Sequence, residues 1–318
     1  MQIKILVGLA IACALAQGPA AHAQVAPIHI VVPLASGGGT DVLARVIAAK
    51  MRDSLGQNVV VENRAGAAGN IGADAVYRAK PDGHTLLFTQ PGPLVVNQWL
   101  YARLGFEPER FEPIAMATQQ DILLAVGPQV PARTLPELIA YAKANPGKLN
   151  YGSSGVGSAP HLAAELFKSM AGVDMQHVPY KGSSESMNAT IGGQVDLTFF
   201  AFSSALPHAR AGKLRALAVG GPRRNPQLPD VPAIAEVLPG YDAASWTGMV
   251  APPGTPDDVA QRLADAVQQA IKDPEVQRRL IDVGDEALYL TRAEMAAHLA
   301  AERQRWHDVI QSVGIKPE

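Results

Sequence analysis

The chain has 318 residues, 47% hydrophobic and 18% charged, and 27 Lys plus Arg against 29 Asp plus Glu leave a formal charge of −2. A length of about two ordinary domains with that apolar content supports real cores and excludes disorder. The charge balance offers no basic field for nucleic acid and no cationic stretch for an anionic membrane; the composition also excludes a fibrous chain, a disulfide scaffold and a multi-span membrane protein.

The first segment reads as an export leader. Lys4 supplies a positive charge, residues 5–15 an apolar core too short to span a bilayer, and Ala21-His-Ala23 a small-x-small cleavage pattern. Cleavage after Ala23 is expected. Cys13, the only cysteine, lies inside this leader; acylation there would make a lipoprotein, but Ala10 is a poor residue three before such a cysteine. The mature chain then has no thiol for a disulfide, a nucleophile or a metal. No stretch of 18 apolar residues follows, so a soluble exported protein is expected.

Beyond the leader, β-rich runs at 28–33, 59–62, 85–89, 122–126, 176–180, 195–200 and 214–219 alternate with helical patterns, as in βαβ units and mostly parallel sheets. In the clearest helix Leu43, Ile47 and Met51 step by four, Gly39 or Thr40 caps the start, and Gly56 stands where a C′ glycine belongs. Three later helices open on a Thr followed by an acid three residues on: Thr134 with Glu137, Thr255 with Asp258, Thr291 with Glu294. The strand at 122–126 and the one starting at Trp246 each lead through prolines into such a helix. This echo is read equally as the paired crossovers of a two-lobed protein and as a common strand–Pro–helix unit.

Two glycine-rich loops join a strand to a helix. In Pro33-Leu-Ala-Ser-Gly-Gly-Gly-Thr-Asp41, the candidate ligand residues are Ser36, Gly37, Gly38, Gly39, Thr40 and Asp41. Consecutive glycines let N–H groups converge, and a helix N-terminus adds partial positive charge, so the loop can hold a carboxylate or phosphate without a cation. No Lys follows as a nucleotide P-loop requires. The second loop runs from Tyr151 to His161 and offers Ser153, Ser154, Gly155, Ser158 and His161. A hydrolase reading would use Ser154 as nucleophile and His161 as base, but Val156 stands where G-x-S-x-G needs glycine, and no acidic partner is indicated.

Other strand ends add Gln90 and Gly92, then Tyr180, Lys181 and Gly182, where α/β ligands usually bind. Lys181 is read equally as a carboxylate partner and as a surface lysine. Phe200, Ala201, Phe202 and Ser203 form an apolar strand end with hydroxyls beyond it. The histidines show no metal-binding spacing and no dinucleotide fingerprint follows a strand, so no cofactor is expected. Neutral, donor-rich loops without a nucleophile or metal favour a binder of small anions over an enzyme.

These residues carry a family resemblance. The ordered set of Ile30-Val-Val-Pro33 with Gly37-Gly-Gly-Thr-Asp41, Val61-Glu-Asn-Arg64, Gly69-Asn-Ile-Gly72, Pro81-Asp-Gly-His-Thr85, Tyr151-Gly-Ser-Ser-Gly155, His177-Val-Pro-Tyr-Lys-Gly182, Gly193-Gln-Val-Asp196 and Leu214-Arg-Ala-Leu-Ala-Val219 resembles the Bug-type solute receptors of tripartite tricarboxylate transporters. The resemblance runs from about residue 27 to residue 316. It implies an α/β, two-lobed type II periplasmic-binding fold with a ligand cleft between lobes: lobe 1 from residues 24–122 plus 225–318, lobe 2 from 123–224. It further implies a periplasmic, monomeric receptor that passes a small mono- or dicarboxylate to transporter membrane subunits, or else reports it to a sensor protein. The loop at 36–41 would form one cleft wall, and those at 153–161 and 180–182 the other.

Two departures bear on the ligand. Ser36 stands where Pro is frequent in the family, which adds a hydroxyl to the first loop. Many members carry an Asp just after the Phe that follows Gln-Val-Asp, and here Phe200 and Ala201 stand there. The missing acid removes an acceptor and favours a carboxylate with an apolar or aromatic body over an amino acid.

Overall fold

In the computed structural model the described residues are 26–156, 158–180, 182–283, 285–312 and 314. The expected leader and Lys181 lie outside them. Strands β1 (Ile28–Val32), β2 (Val59–Asn63), β3 (Thr85–Thr89), β4 (Glu112–Gln120), β5 (Ile122–Val126), β6 (Asn150–Ser153), β7 (Gln176–Pro179), β8 (Leu197–Ala201), β9 (Arg215–Val219), β10 (Ser245–Ala251) and β11 (Asp285–Leu290) form two sheets. The helices between them are α1 (Gly39–Leu55), α2 (Asn70–Tyr77), α3 (Asn97–Leu100), α4 (Leu135–Ala144), α5 (Ala159–Ala171), α6 (Ser183–Ile191), α7 (Phe202–Arg210), α8 (Asp257–Ile271), α9 (Pro274–Val283) and α10 (Arg292–Ser312).

The larger sheet has the order β11-β4-β10-β3-β1-β2, and the smaller β7-β6-β8-β5-β9. In the first, β2 and β3 flank β1 in parallel, while β10 joins β3 and β4 antiparallel. Ile28, Ile30, Leu86 and Phe88 are wholly buried, as parallel strands covered on both faces must be. One cover is α1 packed on α8: the stripe of Leu43, Ile47 and Met51 meets Leu263, Val267 and Ile271. Gly56 ends α1 in the left-handed region at φ 62°, and its N–H returns to the Arg52 carbonyl.

The Thr-x-x-acid signatures divide. Thr134 Oγ1 accepts the Glu137 N–H, and the Glu137 carboxylate accepts the Arg133 N–H. Thr291 and Glu294 cap each other reciprocally. Thr255 does not cap: its hydroxyl donates to the Pro252 carbonyl at 2.8 Å, and the helix starts one residue later than expected, with Pro256 at the cap. Asp258 therefore stands at the second helical position, where no reciprocal bond to Thr255 forms.

The chain passes from the larger sheet to the smaller through one residue, Asp121, between β4 and β5. It returns through residues 220–244, between β9 and β10. Each of the two strand–Pro–helix units thus begins where the chain has just crossed. The crossings are tied side by side. Asn225 Nδ2 donates to the Asp121 carboxylate at 2.8 Å, the Gly221 N–H donates to it as well, and the Gly220 N–H bonds the Ile122 carbonyl. A Cβ on Gly221 would lie 2.2 Å from Asp121 Oδ1, so a side chain there would displace the carboxylate from its hydrogen bonds.

Burial outweighs these hydrogen bonds and pushes the Asp121 carboxyl up to about 6. A folded-state value above the ordinary 3.8 gives stability that is fully present below about pH 4 and lost as pH rises through 6. Asp121→Ala is therefore expected to lower the melting temperature at pH 7.5 and to lower it further at pH 5. Thermal melts of both proteins at the two pH values check this, and equal losses would contradict it.

Candidate functional site

The loop from β1 into α1 is built around one buried carboxylate. Asp41 is 3% exposed; its Oδ2 accepts the Gly37 N–H at 2.8 Å, and Arg45 and the Asn63 amide bond it as well. Burial alone would raise this carboxyl, but the hydrogen bonds from Arg45, Gly37 and Asn63 prevail and hold it below the usual carboxylate range. Asn63 also donates to the Leu34 carbonyl, closing the loop onto β2.

The helix start differs from the expected one. Gly38, in extended conformation, is the N-cap, and no side chain caps the helix. The first N–H groups of α1 therefore lack the partner that a Ser or Asp cap would give them. They open on a cavity of about 360 Å³. Gly38, Gly39, Thr40, Asp41 and Gln90 line it from the larger sheet, and Ser203 from α7 on the smaller. Gln90 Nε2 donates to Thr40 Oγ1 at 3.2 Å, which fixes the amide beside the helix start. Leu34, Ala35, Gln120, Ser245, Trp246, Thr247 and Asp285 complete the lining.

A second cavity of about 190 Å³ shares Gln90 and Ser245 with the first. Gly92, Val96 and Trp306 line it from one side and Ala159 and Leu162 of α5 from the other. The two adjoining cavities thus take walls from elements of both sheets. Their character differs, since polar and apolar groups share the lining of the first and apolar side chains dominate the second.

The second glycine loop folds on itself. Ser153 is fully buried; its Oγ accepts the Gly155 N–H at 3.1 Å and lies 2.7 Å from His177 Nε2, while Ser158 Oγ donates to the Gly155 carbonyl. Ser154 is half-buried in the bend after β6. Tyr180 is half-buried and its N–H bonds the Ser153 carbonyl; Gly182 caps α6. Among the described residues, neither cavity lining includes Ser153, Ser154, Gly155, Ser158, His161, Tyr180 or Gly182. Nor does it include Ser36 and Gly37, which precede the helix start. Phe200 and Phe202 are buried with Leu123, Met187 and Ala205, so these rings are core of the smaller sheet, and half-buried Ala201 ends β8 between them.

Sixteen positions apart in sequence, His161 and His177 stack at 4.1 Å, with Tyr151 beyond His177 at 4.9 Å. Tyr151 donates to Glu165, which Lys168 also bonds. Burial, with smaller effects from His177 and Lys168, pushes His161 down to about 4 against a small opposing effect of Glu165. The ring is therefore neutral near pH 7 and a weak base.

Sequence reasoning missed Gln120, Trp246, Thr247 and Asp285. Gln120 and Asp285 are cross-strand neighbours 165 residues apart, so no local spacing signals them.

A family model described as the tripartite tricarboxylate transporter family receptor matches residues 43–315. Protein BugT of Bordetella pertussis is 36% identical over 293 residues, covering 91% of this chain and 90% of its own length. A structure of Rpa4515 of R. palustris with adipate shares 37% identity at a TM-score of 0.75, covering 92% of this chain and 98% of the other. MatC of Rhodopseudomonas palustris, with bound malate, shares 35% identity at a TM-score of 0.71, covering 89% and 98%.

The neutral His161 carries a testable consequence. A folded-state value near 4, below the ordinary 6.5, gives stability that is present above pH 6.5 and lost as pH falls toward 4. The loss approaches about 3 kcal/mol at its limit. His161→Phe, which keeps a ring in the stack, is expected to melt with a shallower dependence on pH between 6.5 and 4 than the wild type. Parallel slopes in thermal melts would contradict this.

Proposed function

The chain belongs to the tripartite tricarboxylate transporter family of receptors, and on that footing we propose that it captures a small organic carboxylate between its two sheets and delivers it to transporter membrane subunits. Its fold is the two-lobed α/β architecture of periplasmic binding proteins, and its role is that of a solute receptor. The observation that carries the ligand class is the uncapped N-terminus of α1 at the wall of a cavity that polar groups line in part. Converging N–H groups and the helix dipole attract an anion there, and neutral donors avoid burying an unpaired cation.

The finer reading has several parts. The lobes are residues 24–122 plus 225–318 and residues 123–224, a division supported by sheet membership and by the tied crossings at 121 and 220–225. A carboxylate seated on Gly38, Gly39 and Thr40 reaches Ser203 across the cleft, and the apolar second cavity takes its carbon chain. The serine loop and Tyr180 form the rest of the second wall. A ligand that touches both lobes binds the closed state more tightly and shifts the population toward it. Adipate in Rpa4515 and malate in MatC, both dicarboxylates, support the dicarboxylate half of the mono- or dicarboxylate reading. The protein works in the periplasm as a monomer after loss of residues 1–23, without catalytic turnover, cofactor or nucleic acid.

The test is calorimetric titration of the mature, ligand-stripped protein with mono-, di- and tricarboxylates, paired with Gly39→Pro. Position 39 is the first helical residue, Gly38 already has the extended backbone that precedes proline, and nothing lies within 4 Å of a Cβ at Gly39. The variant thus removes one N–H donor and leaves the helix intact. Saturable binding by the wild type and a loss of about tenfold or more in the variant are expected, in line with a hydrogen bond to a charged group. Silence across the panel would contradict the carboxylate reading; equal affinity of the two proteins would remove the helix start from the site.

A further inference from the structure

The larger cavity contains a charged group that anion capture by α1 does not use. Asp285 opens β11 at the sheet edge, opposite Gln120 of β4. Gln120 Nε2 donates to its Oδ1 at 2.7 Å and Thr118 Oγ1 to its Oδ2 at 3.3 Å. Thr118 is wholly buried and shares a short hydrogen bond with Thr247, itself part of the lining. The carboxyl is thus held in place from behind by two neutral groups, with burial pushing it up to about 6.

This arrangement sets a condition on whatever fills the cavity. An ionised carboxyl has acceptor sites for about four hydrogen bonds, and Gln120 and Thr118 use two. The same cavity presents the N–H groups of Gly38–Thr40, which draw an anion in. A ligand end that faces Asp285 as a bare hydrocarbon leaves a half-buried acceptor unsatisfied, and one that faces it as a second carboxylate meets like charge. A hydroxyl or an ammonium group completes the carboxyl's shell.

Resting on the receptor reading above, we propose that Asp285 is a specificity-determining residue of the cleft, selecting organic acids that carry a hydroxyl or ammonium group beyond the carboxylate held by α1. The acceptor missing at Ala201 of the smaller sheet is supplied here from the larger one. Sites of this kind discriminate strongly, because the analogue without the donor strands a desolvated acceptor.

Calorimetry of the mature, ligand-stripped protein with length-matched acids tests the proposal: succinate against malate and aspartate, and adipate against 2-hydroxyadipate. In at least one pair the donor-bearing acid is expected to bind about tenfold more tightly to the wild type or better. Asp285→Asn and Asp285→Ala should shrink that ratio to about threefold or less, by weakening the donor-bearing acid while leaving its partner's affinity level or improved. Thermal melts establish that each variant is folded, and the Asn form decides if the Ala form is not. Deoxy acids binding the wild type as tightly as their partners in every pair would overturn the proposal, as would a ratio that survives both substitutions. Carboxylates binding without discrimination would leave the receptor reading standing. No binding by any acid would overturn that reading and this inference together.

Discussion

The Asp41 carboxylate is the group on which the glycine loop depends. It takes the Gly37 N–H, the Arg45 guanidinium and the Asn63 amide, and so fixes the turn that leaves Gly38 at the cap of α1. A negative charge in the first turn of a helix proposed to bind an anion looks self-defeating. Arg45, one helical turn on, compensates it locally, and the bonds to Gly37 and Asn63 consume its acceptors on the side of the loop. The helix start then faces the cavity with its own N–H groups and without a competing side-chain cap. Loss of Asp41 would free the loop, and with it the geometry that Thr40 and Gln90 share.

Two further constraints place this helix start against a second wall. Parallel strands buried on both faces hold β1 and α1 rigidly in the larger sheet. The crossings at Asp121 and Gly221 then attach the smaller sheet through a narrow, hydrogen-bonded waist. Beyond the crossings, α10 packs on α5 and the buried Tyr241 hydroxyl donates to the Ala163 carbonyl, so one apolar cluster continues between the two sheets.

Much of this was legible in the sequence because it is local. The four-residue stepping of Leu43, Ile47 and Met51, the C′ glycine at 56, the cap at Thr134 and the reciprocal cap at Thr291 are each set by neighbours within one turn. The glycine loop was legible for the same reason. Thr255 misled because proline at 256 shifts the cap by one residue, which residue spacing alone does not reveal. The aromatic strand end at Phe200 and Phe202 has the same pattern whether it faces ligand or core, and the structure buries both rings. Gln120, Trp246, Thr247 and Asp285 meet only through pairing of strands far apart in the chain. The stack of His161 on His177 is hidden likewise, since it forms across α5 and β7.

The central claim is that backbone N–H groups at the start of α1, and not a cationic side chain, hold the ligand's carboxylate. A crystal structure of the mature protein with its tightest-binding carboxylate tests this most directly. Carboxylate oxygens within hydrogen-bonding distance of the N–H groups of Gly38–Thr40, with Ser203 closing from the other sheet, are the expected result. A carboxylate seated on a lysine or arginine, with the helix start facing only water, would contradict it.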